Sequence, residues 1–321
     1  MSQETVEQTF TVTSPARLKL SNISGSVEIR PGDDGMMQVT AVKRTHKGDP
    51  QRTQIELSQA ADGTVTAATR FNEGWWVWLV GSYPCEVDYT IKAPRACSLK
   101  VSGVSNTAVV EGLTGEFTFN SVSGELTLRD LAGPVQIHTV SGSVDGERLA
   151  GALHLDSVSG DVRLRECTIP SAEAKTVSGG LDIETALSQG PYHFNSVSGD
   201  LRLTVPADTH CTLELHTVSG NISADGQGLS ALPLSTNARS NGKRVAEVQG
   251  GGVRVEMHSV SGGLRIGIPP GAKTLAVEPR LSPRSADPAP EPPKSVDRHT
   301  LLERIERGEI TVEEGLRLLR G

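Results

Sequence analysis

With 321 residues and a net charge of -7, the chain is long enough for a sizeable core and has no dense basic run, which excludes nucleic acid as a partner. Aromatic residues make up only 3% while glycines number 34, a balance that suits regularly stacked strands better than a bulky globular core. The N-terminus MSQETVEQTFTVTSP lacks a basic stretch followed by an apolar one, and the longest apolar run, Trp75 to Val80, is far too short to span a bilayer. A cytoplasmic location is therefore expected, with association to the cell envelope left open.

The first recognisable feature along the chain is NISG, ending at Gly25, an early cousin of a tetrapeptide that later recurs. Residues 26–99 then break the period. TVTAATRF (Thr64 to Phe71) and CEVDYTIK (Cys85 to Lys92) read as strands joined by long polar connections, and the region is expected to cap an otherwise open sheet edge. Between them lies NEGWWVWLVGSYP, which holds all three tryptophans. As a strand it would be apolar on both sides. Either it is buried over the end of the fold, or Trp75, Trp76, Trp78 and Leu79 form an exposed contact patch for a protein, a peptide, a membrane surface or a second copy.

From residue 100 to 270 the tetrapeptide recurs as KVSG, SVSG and TVSG, closing at Gly103, Gly124, Gly142, Gly160, Gly179, Gly199, Gly220 and Gly262. The steps are 21, 18, 18, 19, 20, 21 and 42, the last expected to contain a degenerate copy near Asn241 and Gly242. A period of about 18–21 residues is the mark of a β-solenoid, in which each coil buries its apolar face on its neighbours. Within GELTLRDLAGPVQIHTVSG the apolar set is Leu126, Leu128, Leu131, Val135, Ile137 and Val140, which reads as strand, corner, strand, corner. Alternation loses phase across the tetrapeptide, so the backbone bends there, and the glycines are expected to be structural corners. Stacking places Ser121, Thr139, Ser157, Thr176, Ser196, Thr217 and Ser259 in one inward hydroxyl column. The alternative, a ladder of identical binding sites, is less favoured, because the residues before these hydroxyls are polar but chemically mixed. Cys85, Cys97, Cys167 and Cys211 lack metal-ligand spacing and read as reduced, buried thiols, with a Cys85–Cys97 disulfide as the alternative.

At Val277 the composition changes. Residues 277–296 are proline-rich and form a linker between the solenoid (1–276) and a helical hairpin (297–321). In that hairpin Leu301, Leu302 and Ile305 share one helical face, Gly308 stops the first helix, and Val312, Leu316 and Leu319 line a second helix capped by Thr311 and Glu314. Two helices this short bury too little to stand alone, so the six apolar residues are expected to mediate oligomerisation or partner docking.

The segments LKLSNISGSVEIRPG and VDYTIKAPRACSLKVSGVS, together with the train of SVSG and TVSG repeats, resemble the bacterial adhesin-type β-strand-repeat family, domain of unknown function 4097. LLERIERGEITVEEGLRLL resembles the SHOCT-like hairpin that accompanies it in proteins linked to cell-envelope stress. The resemblance implies a right-handed β-helix without established catalytic residues.

No GxSxG, HExxH, phosphate-binding loop or Cys/His metal set is present, so neither a catalytic residue nor a metal or other cofactor is expected. His138, His216 and His258 would form a site only if distant coils met. The expected function is a non-catalytic scaffold or adhesin-like binding protein. The alternatives are a bactofilin-like polymer stacked end to end and a carbohydrate-active β-helix enzyme, which would need a carboxylate pair across one groove.

Overall fold

The computed structural model describes residues 3–45, 48–71, 83–206, 208–225, 243–248 and 250–267, all within the unit Met1–Leu275. Trp75, Trp76, Trp78 and Leu79, the linker, and Leu301, Leu302, Ile305, Val312, Leu316 and Leu319 lie outside the described residues. Among the described residues every regular element is a strand, and the fold is an all-β solenoid.

Six strands form the first part: β1 (Gln3–Thr11), β2 (Ala16–Pro31), β3 (Met36–Arg44), β4 (Thr53–Gln59), β5 (Val65–Phe71) and β6 (Glu86–Ala93). Three long bent strands follow, β7 (Cys97–Glu111), β8 (Phe117–Arg129) and β9 (Val135–Glu147). In later coils the bend divides the strand in two: β10 (Leu153–Ser159) and β11 (Val162–Cys167), β12 (Ala172–Ser178) and β13 (Leu181–Thr185), β14 (Tyr192–Ser196) and β15 (Leu201–Thr204), β16 (Cys211–Thr217) and β17 (Ile222–Asp225). β18 (Lys243–Val248), β19 (Val253–Ser259) and β20 (Leu264–Gly267) complete the set.

Parallel stacking in register builds the core. Leu99, Phe117 and Val135 are register partners on one limb, and Ala108, Leu126 and Val144 on the other. All six are buried, as the period-two pattern requires. Leu113, Leu131 and Leu149 fill the turn between coils from a third side.

The coil series begins earlier than the repeat suggests. β2 pairs in parallel with β7 from Ala16 to Ile29, so it is a complete first coil. The irregular segment is an insertion between the first two coils. Its strands β5 and β6 lie on the two limbs of β2, and β4, β3 and β1 extend them in antiparallel fashion. A buried polar cluster fastens this end. Asn22 Nδ2 donates to the Val87 carbonyl at 2.9 Å, Thr69 Oγ1 donates to Asn22 Oδ1 at 3.0 Å, and the Thr69 hydroxyl lies 2.9 Å from the Tyr89 hydroxyl.

The far end departs from sequence order. β14 pairs with β19, and β19 in turn with β16, so the coil ending in Gly262 lies between those of Gly199 and Gly220. Asn241 and Gly242, where a degenerate copy is expected, lie outside the described residues. Beyond them β18 runs antiparallel along β16, and β19 returns to fill the place between β14 and β16.

Candidate functional site

Each long strand crosses the tetrapeptide by turning two consecutive residues outward. In β9, Ile137 and Thr139 point in, Val140 and Ser141 point out, and inward phase resumes at Gly142. This slip of one residue is the bend. It sends the hydroxyl column inward, with Thr139, Ser157, Thr176, Ser196, Thr217 and Ser259 all buried. It also turns Val140, expected in the apolar inward set, out to 46% exposure.

Corner glycines are set by close approach. A Cβ on Gly142, Gly160, Gly179, Gly199, Gly262 or Gly220 would overlap the carbonyl oxygen of the corresponding glycine in the adjoining coil, and one on Gly124 would overlap that of Asn106. Gly103, expected at a corner, does not occupy one. Its register partner is Ser121, so it stands in the hydroxyl column, and Asn106 occupies the corner of its coil. Gly103 leaves the space that the buried Asn106 side chain fills.

The outward valines form the candidate site. Val104, Val122, Val140, Val158, Val177, Val197, Val260 and Val218 succeed one another coil by coil, joined by Ile23 at the first coil. Seven of the eight valines are 46–49% exposed and Val218 is 70% exposed. They line one side of a continuous groove of about 1110 Å³. Asn120, His138, Asp156, Lys175, Asn195, His258 and His216 line the other, with the hydroxyl column as floor. Nine coils at about 4.8 Å give the groove a length of about 38 Å. Large contiguous apolar surface of this kind marks a binding face. The residues before the hydroxyls thus act together with the valines, although their chemistry is mixed.

A second outward column runs beside the polar wall, from Gln136 through His154, Glu173, His193 and Glu256 to Glu214. Its charges are paired. Lys175 Nζ lies 2.6 Å from Glu173, His193 Nδ1 3.0 Å from Glu256, and Arg254 bridges Glu214 and Glu256 at 2.7 and 3.0 Å. The Lys175 ammonium holds the Glu173 carboxyl below its ordinary value. Asp156 lies close to two imidazoles, those of His138 and His154. His138 and His154 come from adjacent coils, a proximity the linear sequence conceals. His216 and His258 also meet, with ring centroids 5.7 Å apart, because the coil swap makes them neighbours.

All four cysteines are free and buried, which leaves no Cys85–Cys97 disulfide. Burial pushes the Cys97 thiol up to about 12 and those of Cys167 and Cys211 to about 11, which disfavours the thiolate form of these three at neutral pH.

A parallel-stacked β-solenoid with a valine groove along its outer face is thus the class of protein defined. Its sequence matches the Toastrack model, domain of unknown function 4097, over residues 16–267, and the chain belongs to that family. No curated protein matches it. Three solved structures are similar over most of their length. A "putative adhesin" from Parabacteroides merdae is 8% identical, with 82% of this chain and 96% of that chain covered and a TM-score of 0.45. Another of the same description from Bacteroides fragilis is 11% identical, with 84% and 98% covered and a TM-score of 0.39. A "putative lipid binding protein" from Parabacteroides distasonis is 10% identical, with 84% and 97% covered and a TM-score of 0.36.

Proposed function

We propose that the protein is a non-catalytic binding scaffold whose groove takes the apolar ridge of an amphipathic helical peptide. The observation that carries this reading is the unbroken column of half-exposed valines. Coil spacing selects the ligand shape. One valine recurs about every 4.8 Å, and an α-helix presents its apolar ridge once per turn of about 5.4 Å, so the two drift by only about 0.6 Å per turn and stay in step over about two to three turns. An extended peptide repeats on one face about every 6.8 Å and falls out of step after the first contact. Covering the exposed half of four valines contributes on the order of 3–6 kcal/mol before the cost of ordering the peptide.

The polar wall, with Asp156, Lys175 and histidines, would meet the peptide's charged flank. Among the described residues Asp156 is the single carboxylate lining the groove, and one carboxylate is not the pair that glycoside cleavage uses. A role at the bacterial envelope accords with the family resemblance and forms part of the same reading.

A fluorescent amphipathic helix with a leucine ridge should bind with saturation, whereas a composition-matched scramble that destroys the ridge should not. Val140→Asp with Val158→Asp should weaken binding at least about tenfold, since each places a charge against an apolar ridge. Both sites face outward, so circular dichroism should be unchanged. Equal binding by ridge and scramble, or no effect of the double variant, would sink the reading.

A further inference from the structure

We propose that His138, His154 and Asp156 form a binding site for a divalent transition metal, with zinc(II) as the fitting ion. The three come together through the coil register. His138 on β9 stands directly opposite Asp156 on β10, and His154 lies two residues before Asp156 on the same outward face. Asp156 Oδ2 lies 3.2 Å from His138 Nδ1 and 3.1 Å from His154 Nε2.

Those separations suit coordination as well as hydrogen bonding. Zinc bonds to nitrogen and oxygen are about 2.0–2.1 Å, and two ligand atoms at a tetrahedral angle then lie about 3.3 Å apart. Two edges of such a tetrahedron are therefore nearly in place. All three donor atoms lie within 4.8 Å of one another, so the remaining edge between the imidazoles closes by at most about 1.5 Å. The side chains are 37–43% exposed, which gives the rings room to make that adjustment.

The surroundings also have the form of a metal site. A ligating imidazole holds its tautomer by donating the other N–H to a carboxylate. His154 Nδ1 lies 3.5 Å from Glu173 Oε2, and Glu173 is itself oriented by Lys175 Nζ at 2.6 Å. On binding, the metal takes the lone pairs of His138 Nδ1 and His154 Nε2, and each ring keeps or moves its single N–H to the opposite nitrogen. Two imidazoles and one carboxylate favour zinc and its neighbours over magnesium or calcium, which prefer all-oxygen sets. Three protein ligands leave a fourth position open, and two of the three, His138 and Asp156, line the groove.

No other group of three such donors lies within that reach among the described residues. His193 makes its contact with a single carboxylate, Glu256, and serves as the control.

Calorimetric titration of the untagged full-length chain with zinc chloride should show one saturable site. Substituting cobalt(II) should give the visible bands of a tetrahedral centre. His154→Ala and Asp156→Asn should each weaken zinc at least about tenfold, and Glu173→Gln should weaken it about tenfold with the stoichiometry kept. His193→Ala should change nothing. Absence of saturable binding, or binding indifferent to both His154→Ala and Asp156→Asn, would overturn the site. Circular dichroism of each variant separates loss of metal from loss of fold. The site stands independently of the peptide reading, and repeating the peptide titration with a chelator present tells failure of one from failure of the other.

Discussion

Thr176 and Thr217 occupy the same column, yet their hydroxyls live differently. Thr217 Oγ1 accepts the Gly220 N–H at 2.9 Å, as Ser196 and Ser259 accept those of Gly199 and Gly262. Thr139, Ser157 and Thr176, in the preceding coils, are buried with no hydrogen-bond partner for their hydroxyls. A buried hydroxyl without a partner costs about 1–3 kcal/mol in desolvation, whereas a satisfied one contributes about 1 kcal/mol net. Replacement by valine keeps the shape and removes only the hydroxyl. Thr176→Val should therefore stabilise the protein by about 1 kcal/mol and Thr217→Val should destabilise it by about the same. Urea unfolding followed by circular dichroism reads both, and equal effects at the two positions would show that the difference in bonding has no energetic weight.

Among the elements, the coil swap shows where sequence legibility ends. Period, inward hydroxyls and most corner glycines were readable because stacking imposes the same residue type at the same place in every coil. That sameness hides coil order. The β19 and β20 coil offers β14 and β15 the same kind of partners as the next coil in sequence would, so no local pattern reveals the exchange. The KVSG copy misled for a related reason. Its letters match the repeat while its register is displaced by three residues, and the larger step of 21 into Gly124 was the available signal. Outward valines escaped because a hydrophobe beside a bend satisfies the count from either side. The His138, His154 and Asp156 cluster becomes legible only once an 18-residue register is laid over the chain, since Gln136 and His138 then face His154 and Asp156. A physical consequence of the swap can be measured. Truncation after residue 242 removes β18, β19 and β20, leaving β16 without either strand partner. Amides of Leu213 and Leu215 should then exchange at least about 100-fold faster, a loss of about 2.7 kcal/mol of protection, while those of Phe117 and Phe119 stay protected. Retained protection at Leu213 would mean that β16 can dock onto β14 directly.

For the molecule as a whole, the decisive feature is how its ends differ from its middle. A solenoid polymer grows when the last coil of one copy accepts the first coil of the next in parallel register. Here β4 extends β5, and β3 and β1 extend β6, all in antiparallel fashion at one end, while β18 lies antiparallel to β16 at the other. The outer strand β1 carries exposed Glu4 and Glu7, charges of the kind that discourage edge-to-edge pairing. Continuation of the coils into a neighbour would require these strands to be displaced, which argues against the bactofilin-like alternative. Self-association would then rest on the chain after the solenoid, where Leu301, Leu302, Ile305, Val312, Leu316 and Leu319 form apolar helical faces by sequence. Deletion of residues 297–321 should reduce the particle measured by size-exclusion chromatography with light scattering to a monomer. It should leave the thermal midpoint of the solenoid within about 2 °C, because the tail lies outside the coil stack's own repeat. Electron microscopy of the tail-less protein at high concentration provides the opposing outcome. Filaments there would place assembly in the coil ends and remove it from the helical tail, whereas dispersed single particles would leave assembly to the tail, through which the full-length chain would present more than one groove for multivalent binding.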